Sequence, residues 1–286
     1  MTVEQYVTRA RTGVRARRGG PVLRFDPVGG TPGGPAVVPD APVTCRTGPG
    51  GGAALAFAAE EALRRNVPLV VVPRGGERDR GARRWTGSVA PEHGFGPPVE
   101  LDAPPSRGLL VVDTARDVDV ELRAGRPVAR IPSPVRTTGP VVLALVPWTP
   151  AAAVSTAVQT ALRHGAPLSV VRTWAGAAPD LGRVAPAALD EWDAVVARLH
   201  REIEHVLAPH RRRSPGLRTH ALVVRDELTR FLADLAGGAR LIVTGCSYGP
   251  DTSPGVASRA LGIMAAVEAP VLVVPRAPEP GPAGAS

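Results

Sequence analysis

Five side chains of metal-ligating types lie close together in the second half of the chain. They are His200, Glu202, Glu204, His205 and His210. A helical zinc site of the HExxH kind needs its two histidines four positions apart, because that spacing places both on one face of the helix. The separation between His200 and His205 corresponds to about 140° around a helix. The pattern therefore favours a solvated, charged helix face over a metal site.

A glycine-rich segment, GPGGG at 48–52, could offer backbone N–H groups to an anion. A P-loop ends in GKS or GKT, and its lysine reaches the phosphates. This segment lacks that ending, and the chain contains no lysine at all. A turn that needs glycine for its permissive dihedral angles is the favoured interpretation.

The sequence shows no arrangement typical of covalent or acid–base catalysis. It contains no GxSxG elbow, no acidic pair that the pattern places on one face of a cleft, and no cysteine with an identifiable histidine partner. Cys45 and Cys246 lie far apart and outside any CxxC pair, so both are predicted to be reduced and unpaired. Trp148 and Trp174 follow two predicted strands, where they could either line an apolar pocket or fill it. We predict that the protein is not an enzyme.

Composition excludes several classes of protein. With 286 residues, 44% of them hydrophobic, the chain is long enough for two domains that each bury a core. All 34 basic residues are arginines and the net charge is +8, but GC-rich coding produces the same composition, so no nucleic-acid partner is predicted. No apolar stretch approaches the roughly 18 residues of a membrane span. The first twenty residues lack the apolar core of a secretory signal, so a cytoplasmic location without membrane crossing is expected.

The elements that position these residues are revealed by an internal repeat. Residues 53–72 read AALAFAAEEALRRNVPLVVV, and residues 152–171 read AAVSTAVQTALRHGAPLSVV. Each copy is an amphipathic helical pattern followed by a proline and a valine-rich strand. The copies also end alike, since PVARIP at 127–132 corresponds to PVLVVP at 270–275. The repeat predicts two α/β domains in tandem.

The second copy, residues 140–276, is the complete one. Its apolar runs are continuous, as in parallel strands whose two faces are both covered by helices. Strands are predicted at 141–146, 167–173, 219–224, 240–244 and 270–274, and helices at 150–164, 186–208, 227–236 and 256–267. Right-handed crossovers between such elements give an open, mostly parallel, doubly wound sheet.

The first copy, residues 41–135, is abbreviated. Pro68 and Pro127 are 59 positions apart, whereas the matching Pro167 and Pro270 are 103 apart. The missing length corresponds to the long helix and to the glycine loop with its helix, and residues 74–107 are predicted to be irregular. Residues 1–40 are expected to be poorly ordered, except for a helix over 4–18 and a strand over 21–26, and 277–286 form a disordered tail.

The segments VVLALVPWTPAAAV, LIVTGCSYGPDTSPGVASRAL and APVLVVP resemble the universal stress protein family, whose fold is related to that of adenine-nucleotide hydrolases. The resemblance covers 140–276 well and 43–132 in outline. It implies an acidic residue after the first strand, for the adenosine, and a loop of the form G-x2-G-x9-G-(S/T) for the phosphates. SRAL at 258–261 before the last strand is the most family-like detail.

This chain departs from the family's nucleotide site at both the adenosine position and the phosphate loop. Val146 or Pro147 holds the acidic position, and in the first copy Arg46 or Thr47 does. The positions that the resemblance assigns to the degenerate nucleotide loop are Val146, Gly245, Ser247, Gly249, Gly255, Val256 and Ser258. Hydroxyls at Ser247, Thr252 and Ser253, with the N-terminus of the following helix, could still form a partial phosphate site. The alternative is a strand-to-helix turn that needs glycine for its dihedral angles.

The sequence therefore predicts a non-enzymatic, universal stress protein-like binding or regulatory module with a degenerate or lost ATP site and no cofactor. Two alternatives stay open: an ATP-binding member with a site in 140–276, and an ATP-using α/β hydrolase. A phosphate loop such as SGGxDS, which the latter needs, is missing. An unidentified protein partner is expected, and strands 127–132 and 270–275 are expected to pair within one molecule, because their edges would otherwise be exposed.

Overall fold

The structure, a computed structural model, describes residues 22–28, 41–48, 51–74, 94–115, 118–136, 138–174, 186–247 and 255–276. Predictions that concern 4–18 and 277–286 lie outside these residues. The chain divides into two compact units. Unit 1 comprises Met1–Thr114 with Ala129–Pro134, and unit 2 comprises Ala115–Val128 with Val135–Ser286.

Unit 1 contains a mixed sheet covered by one long helix. Its strands are β1 (Val22–Phe25), β2 (Val43–Thr47), β3 (Leu69–Pro73), β4 (Val99–Leu101), β5 (Leu110–Val112) and β6 (Val128–Arg130), in the order β4-β1-β3-β2-β5-β6. The repeat unit itself is parallel, since β2 lies between β3 and β5 in parallel register. The strand predicted at 21–26 is present as β1, and it pairs antiparallel with β3.

Helix α1 (Gly52–Arg65) packs on β2 through small and apolar side chains such as Ala58 and Ala62, which are completely buried. It ends because Asn66 adopts a left-handed conformation, with φ of 53°. In that conformation the Asn66 N–H turns back to the carbonyl oxygen of Leu63 at 3.0 Å, which satisfies one of the free carbonyls at the helix end.

Unit 2 contains a fully parallel sheet. Its strands are β7 (Val141–Ala144), β8 (Leu168–Thr173), β9 (Thr219–Val224), β10 (Leu241–Cys246) and β11 (Val271–Pro275), in the order β11-β10-β7-β8-β9. Its helices are α2 (Val118–Arg123), α3 (Ala151–Arg163), α4 (Pro186–Arg213), α5 (Leu228–Leu235) and α6 (Gly255–Ala266). The predicted α/β class with open, mostly parallel sheets is confirmed.

The strand order fixes which helices share a face of the sheet. The chain runs outward from β7 to β8 and β9, then returns to β10 and β11 on the other side of β7. With right-handed crossovers, α3 and α4 cover one face and α5 and α6 cover the other. The contacts agree with this placement, because α3 touches α4 and α5 touches α6.

Three predicted boundaries in unit 2 are wrong, and the other elements agree to within one residue. The strand predicted at 141–146 ends at Ala144, because the Val146 N–H bonds to Thr149 Oγ1 at 2.8 Å instead of to a neighbouring strand. The strand predicted at 240–244 extends to Cys246. The helix predicted at 186–208 continues to Arg213, since Pro209 removes a single backbone hydrogen bond and the helix tolerates it.

Two predictions for the first copy also need correction. The six-residue helix α2 follows β5, where no helix was predicted, and it packs against β11 within unit 2. Residues 74–107 were predicted to be irregular, but β4 lies there and pairs antiparallel with β1. Both elements are too short to show a hydrophobic period in the sequence.

Candidate functional site

The switch point of the unit 2 sheet lies between β7 and β10. From β7 the chain leaves in one direction, and at β10 it returns on the other side. In open parallel sheets, a crevice that binds ligands forms at such a point, outside the carboxyl ends of the strands. The residues there are those that follow Ala144 and those that end β10.

At this switch point the crevice is filled by the chain itself. A Cβ built on Gly245 would lie 2.2 Å from Cδ of Pro150, so the proline ring packs directly on the glycine backbone. Thr149 completes the turn before α3: its N–H donates to the Val146 carbonyl at 2.9 Å, and its Oγ1 accepts the Val146 N–H. Gly245 therefore accommodates the close approach of a helix start.

The remaining positions of the predicted nucleotide loop are only partly visible. Ser247 follows β10 and is 8% exposed. Gly255, Val256 and Ser258 form the first turn of α6, whose side chains lie outside the described part of the chain. Gly249, Thr252 and Ser253 lie wholly outside it. The structure therefore brings Val146 and Gly245 to one place and leaves the rest of the loop as a prediction.

Both tryptophans that follow strands are covered by arginines. Arg259 of α6 lies over the ring of Trp148 at 5.4 Å. Trp174 packs edge-to-face on Trp192 at 5.9 Å, and the guanidinium of Arg225 lies 4.9 Å from the Trp192 ring centre. Such cation–π contacts fix both partners. Sequence reasoning missed Trp192, Arg225 and Arg259, because aromatic–arginine pairs of long sequence separation leave no local signal.

Glu227 caps α5 beside this cluster. Its carboxylate accepts the backbone N–H groups of Thr229 and Arg230, at 3.0 and 2.9 Å. Burial raises the pKa of Glu227, but these hydrogen bonds and the charge of Arg259 outweigh it, so the pKa is lowered overall. The ionised form is therefore favoured in the folded protein.

We expect Glu227→Gln to destabilise unit 2 by about 1 kcal/mol at pH 7. Because the folded-state pKa is lowered, the stabilisation by the carboxylate is present above the pKa of the unfolded glutamate and is lost as pH falls through the folded-state value. The difference between wild type and Glu227→Gln, measured by urea unfolding, should become smaller as the pH is lowered from 7 to about 3. Glu268→Gln, at an exposed position, is the control. A difference that persists unchanged at pH 3 would contradict this role.

A second feature of unit 2 is an open cavity of about 490 Å³ between the turn after β7, the start of α3 and the second half of α4. Its apolar lining consists of Leu145, Val146, Pro147, Ala151, Val154, Val206 and Pro209. Its polar lining consists of Thr149, Arg172, Glu202, His205 and His210. Neither Trp148 nor Trp174 lines it, so this cavity is not an apolar pocket formed by the two tryptophans.

The histidine and glutamate cluster of α4 is divided between this cavity and solvent. Glu202 pairs with Arg172 at 3.3 Å and approaches Arg198 at 4.0 Å, and Glu204 pairs with Arg211 through a contact to Nη2 at 3.1 Å. Among the described residues, no three histidine, cysteine, aspartate or glutamate side chains are grouped closely enough to hold a metal ion. Arg172 is the residue of this cavity that the sequence did not indicate.

In unit 1 the equivalent edge of the sheet carries an aspartate. Asp113 follows β5, and its Oδ2 accepts the Gly48 N–H at 3.0 Å. Its Oδ1 lies 3.4 Å from Arg74, which also bonds to the hydroxyl of Thr114. In the segment 48–52, for which a turn is the favoured interpretation, the first amide thus already has an internal carboxylate as its acceptor, close to the start of α1, where negative charge is favoured.

The two thiols lie inside the sheets of their units. Cys45 and Cys246 are both free and fully buried. Burial, with a smaller contribution from the Asp113 charge, raises the pKa of Cys45. Burial, with a smaller contribution from Asp119, raises the pKa of Cys246 to about 12. Both are therefore protonated at neutral pH and act as small apolar side chains.

No protein-family model and no curated protein sequence matches the chain. Among solved structures, it is similar to the universal stress protein UspA from Lactobacillus plantarum, at 23% identity over 47% of this chain and 97% of that chain (TM-score 0.32). It is similar to a universal stress protein from Archaeoglobus fulgidus in complex with dAMP, at 18% identity over 49% and 99% (TM-score 0.32). It is also similar to a functionally unknown protein from Pseudomonas aeruginosa PAO1, at 15% identity over 82% of this chain and 81% of that chain (TM-score 0.40).

Across the part of the chain that the structure describes, no helix meets the length and hydropathy that a membrane span requires.

Proposed function

We propose that the chain is a non-enzymatic, universal stress protein-like module that binds a ligand or a partner, and that its ATP site is degenerate. The observation that supports this proposal best is the contact between Pro150 and Gly245 at the switch point of the unit 2 sheet. A crevice filled by a proline ring offers no space for a phosphate chain on that face of the glycine. The tandem arrangement, with the first copy reduced, and a cytoplasmic location are parts of the same proposal.

The adenosine half of such a site also lacks a partner among the residues after β7. A ribose hydroxyl needs a hydrogen-bond acceptor, and the side chains of Val146 and Pro147 supply none. Thr149 could supply one, but its hydroxyl already bonds to the Val146 N–H. The side chains after β7 therefore offer no free acceptor to a ribose, which supports a degenerate ATP site, and we derive no step through ATP.

The dAMP in the Archaeoglobus fulgidus structure belongs to that protein. The alternative proposal for this chain is an ATP-binding member of the family with its site in 140–276. That alternative needs the segment 248–254 to provide the whole phosphate contact. The ATP-using hydrolase is a weaker alternative, because the chain has no phosphate loop of the SGGxDS kind.

We also propose that strands 127–132 and 270–275 pair within one molecule. Within unit 2, β11 pairs with β10 in parallel register and stands at the end of the unit's strand order. A strand edge rich in valine favours pairing with another strand, and a strand tethered in the same chain is present at high effective concentration. The unidentified protein partner would then bind elsewhere.

Isothermal titration with MgATP tests the proposal. We expect no saturable heat up to 1 mM ATP, about the weakest affinity the method resolves, and no release of phosphate over hours. AMP and adenosine, titrated in parallel, show whether a part of the nucleotide still binds. Micromolar ATP binding would overturn the degenerate site, and ATP turnover would favour the hydrolase.

Native mass spectrometry tests the pairing of strands 127–132 and 270–275 within one molecule, and it should show a monomer. A dimer that dissociates in the Val273→Pro variant would contradict the intramolecular pairing.

A further inference from the structure

The cavity beside α4 contains a guanidinium that is largely buried and incompletely bonded. The side chain of Arg172 is 13% exposed, and its bond within the described residues joins Nη2 to Glu202 Oε2 at 3.3 Å, which is long for a charge-assisted hydrogen bond. A guanidinium has five N–H donors in a planar fork. Among the described residues a single one of these donors is bonded, so Arg172 can donate to a further acceptor that enters the open cavity.

The charges around this guanidinium favour an anion over a cation. Glu202 already faces two arginines, Arg172 at 3.3 Å and Arg198 at 4.0 Å, so an incoming cation would compete with both of them. An incoming carboxylate instead finds free donors on Arg172. The other polar groups of the lining include no further carboxylate: His205 and His210 add imidazole rings, while the Thr149 hydroxyl already donates to the Ala144 carbonyl oxygen at 3.4 Å.

The rest of the lining fits an apolar body. Leu145, Val146, Pro147, Val154, Val206 and Pro209 present hydrocarbon surface to the same space. The volume of about 490 Å³ lies within the range of small-molecule sites, where an apolar lining supplies affinity and a few polar groups fix orientation.

We infer that the cavity between α3 and α4 binds a small carboxylic acid with an apolar body, whose carboxylate bonds to Arg172 while its hydrocarbon part packs against Val154 and Val206. This site lies beneath the turn after β7, on the face covered by α3 and α4. It does not involve Gly245 or the loop that follows β10, but it shares Val146 and Pro147 with the predicted adenosine position, so its test includes competition with nucleotides.

The test uses a matched pair of probes, 1-naphthaleneacetate and its neutral isostere 1-naphthaleneacetamide, titrated into the full-length protein. From the usual affinity per heavy atom, the acid should bind with Kd on the order of 100 µM. The amide should bind roughly tenfold more weakly or worse, because it lacks the charge-assisted bond. Equal binding of both probes, or no binding of either at 1 mM, would overturn the inference.

Variants locate the binding. Arg172→Gln should weaken the acid about tenfold and leave the amide unchanged. Ala151→Trp, at an exposed helix position that lines the cavity, should abolish binding of both probes without affecting the fold. His200→Gln, at an exposed position of α4 outside the lining, is the control and should bind like the wild type. Unchanged binding in Ala151→Trp would place the probe elsewhere and overturn the site.

Nucleotide competition separates this inference from the proposed function. If ATP binds and the acid still binds beside it, the degenerate site is wrong and the carboxylate site stands. If ATP or AMP displaces the acid, the cavity is a nucleotide site and both proposals fail. Inorganic phosphate should not displace the acid at 1 mM, and displacement by phosphate alone would overturn the assignment to a carboxylic acid with an apolar body.

Discussion

Gly245→Ala should be among the most damaging single substitutions in unit 2. The new Cβ would lie 2.2 Å from Cδ and 3.2 Å from Cγ of Pro150, and a ring at the start of a helix cannot move aside without shifting α3. We expect a loss of about 3 kcal/mol in the free energy of unfolding and a fall in Tm of roughly 6–12 °C. Thermal and urea unfolding followed by circular dichroism measure both.

Two further variants accompany this prediction: the first is its control, and the second tests whether the clash with Pro150 causes the loss of stability. Gly262 lies inside α6 with no atom within 4 Å of an added Cβ, so Gly262→Ala should raise stability by up to about 1 kcal/mol. Pro150→Ala removes the ring atoms that collide with the new methyl group. The cost of Gly245→Ala should therefore shrink in the Pro150→Ala background, as a double-mutant cycle reports. If Gly245→Ala is as stable as the wild type, Pro150 does not close the crevice.

The second large effect is expected in unit 1, at Asp113. Asp113→Ala removes the acceptor of the Gly48 N–H and the carboxylate that faces Arg74, and both partners are only partly exposed. We expect a loss of about 2 kcal/mol, because the buried Gly48 N–H is left without its acceptor and Arg74 loses its carboxylate partner. Urea unfolding gives the free energy, and hydrogen exchange of the α1 amides shows whether the loss is local to the helix start.

Asp26 provides the matched comparison for Asp113. It also pairs with an arginine, Arg24, at 2.8 Å, but both side chains are about half exposed, and both hydrogen bonds of the pair join side chain to side chain. Asp26→Ala should cost less than about 0.5 kcal/mol, as exposed pairs usually do. Equal effects at the two positions would mean that Asp113 is an ordinary surface charge and that the bond to Gly48 contributes nothing.

The sequence predicted the elements of unit 2 well, because their signals are local. The alanine and leucine pattern before Arg163 and the valines after Pro167 each occupy consecutive residues, and α3 and β8 form there. The predicted end of β7 was wrong because a side chain outside the hydrophobic pattern determines where that strand ends. β7 stops at Ala144 because Thr149 takes the Val146 N–H, and a hydroxyl three residues ahead is not visible in a hydrophobic period.

The candidate sites could be predicted only where a motif is contiguous. The family resemblance identified the turn after β7 and the loop after β10 from unbroken segments. The pairing of Arg172 with Glu202 joins positions 30 residues apart, and that of Arg74 with Asp113 joins positions 39 apart. Such contacts depend on how strands and helices are placed in three dimensions, and a single sequence does not show them. Of these four residues, only Asp113 could have been found from the sequence, because an acidic residue directly after a strand lies at the edge of the sheet where ligands bind.

The buried thiols determine how this molecule can be labelled. Alkylating reagents attack thiolates, and neither Cys45 nor Cys246 offers an accessible one at neutral pH. The chain also carries no lysine, so reagents that target ε-amines find no side chain to modify. A cysteine introduced on the surface would therefore be uniquely reactive in an otherwise unmodified background, and fluorophores or spin probes could be attached there for distance measurements without first removing the native residues.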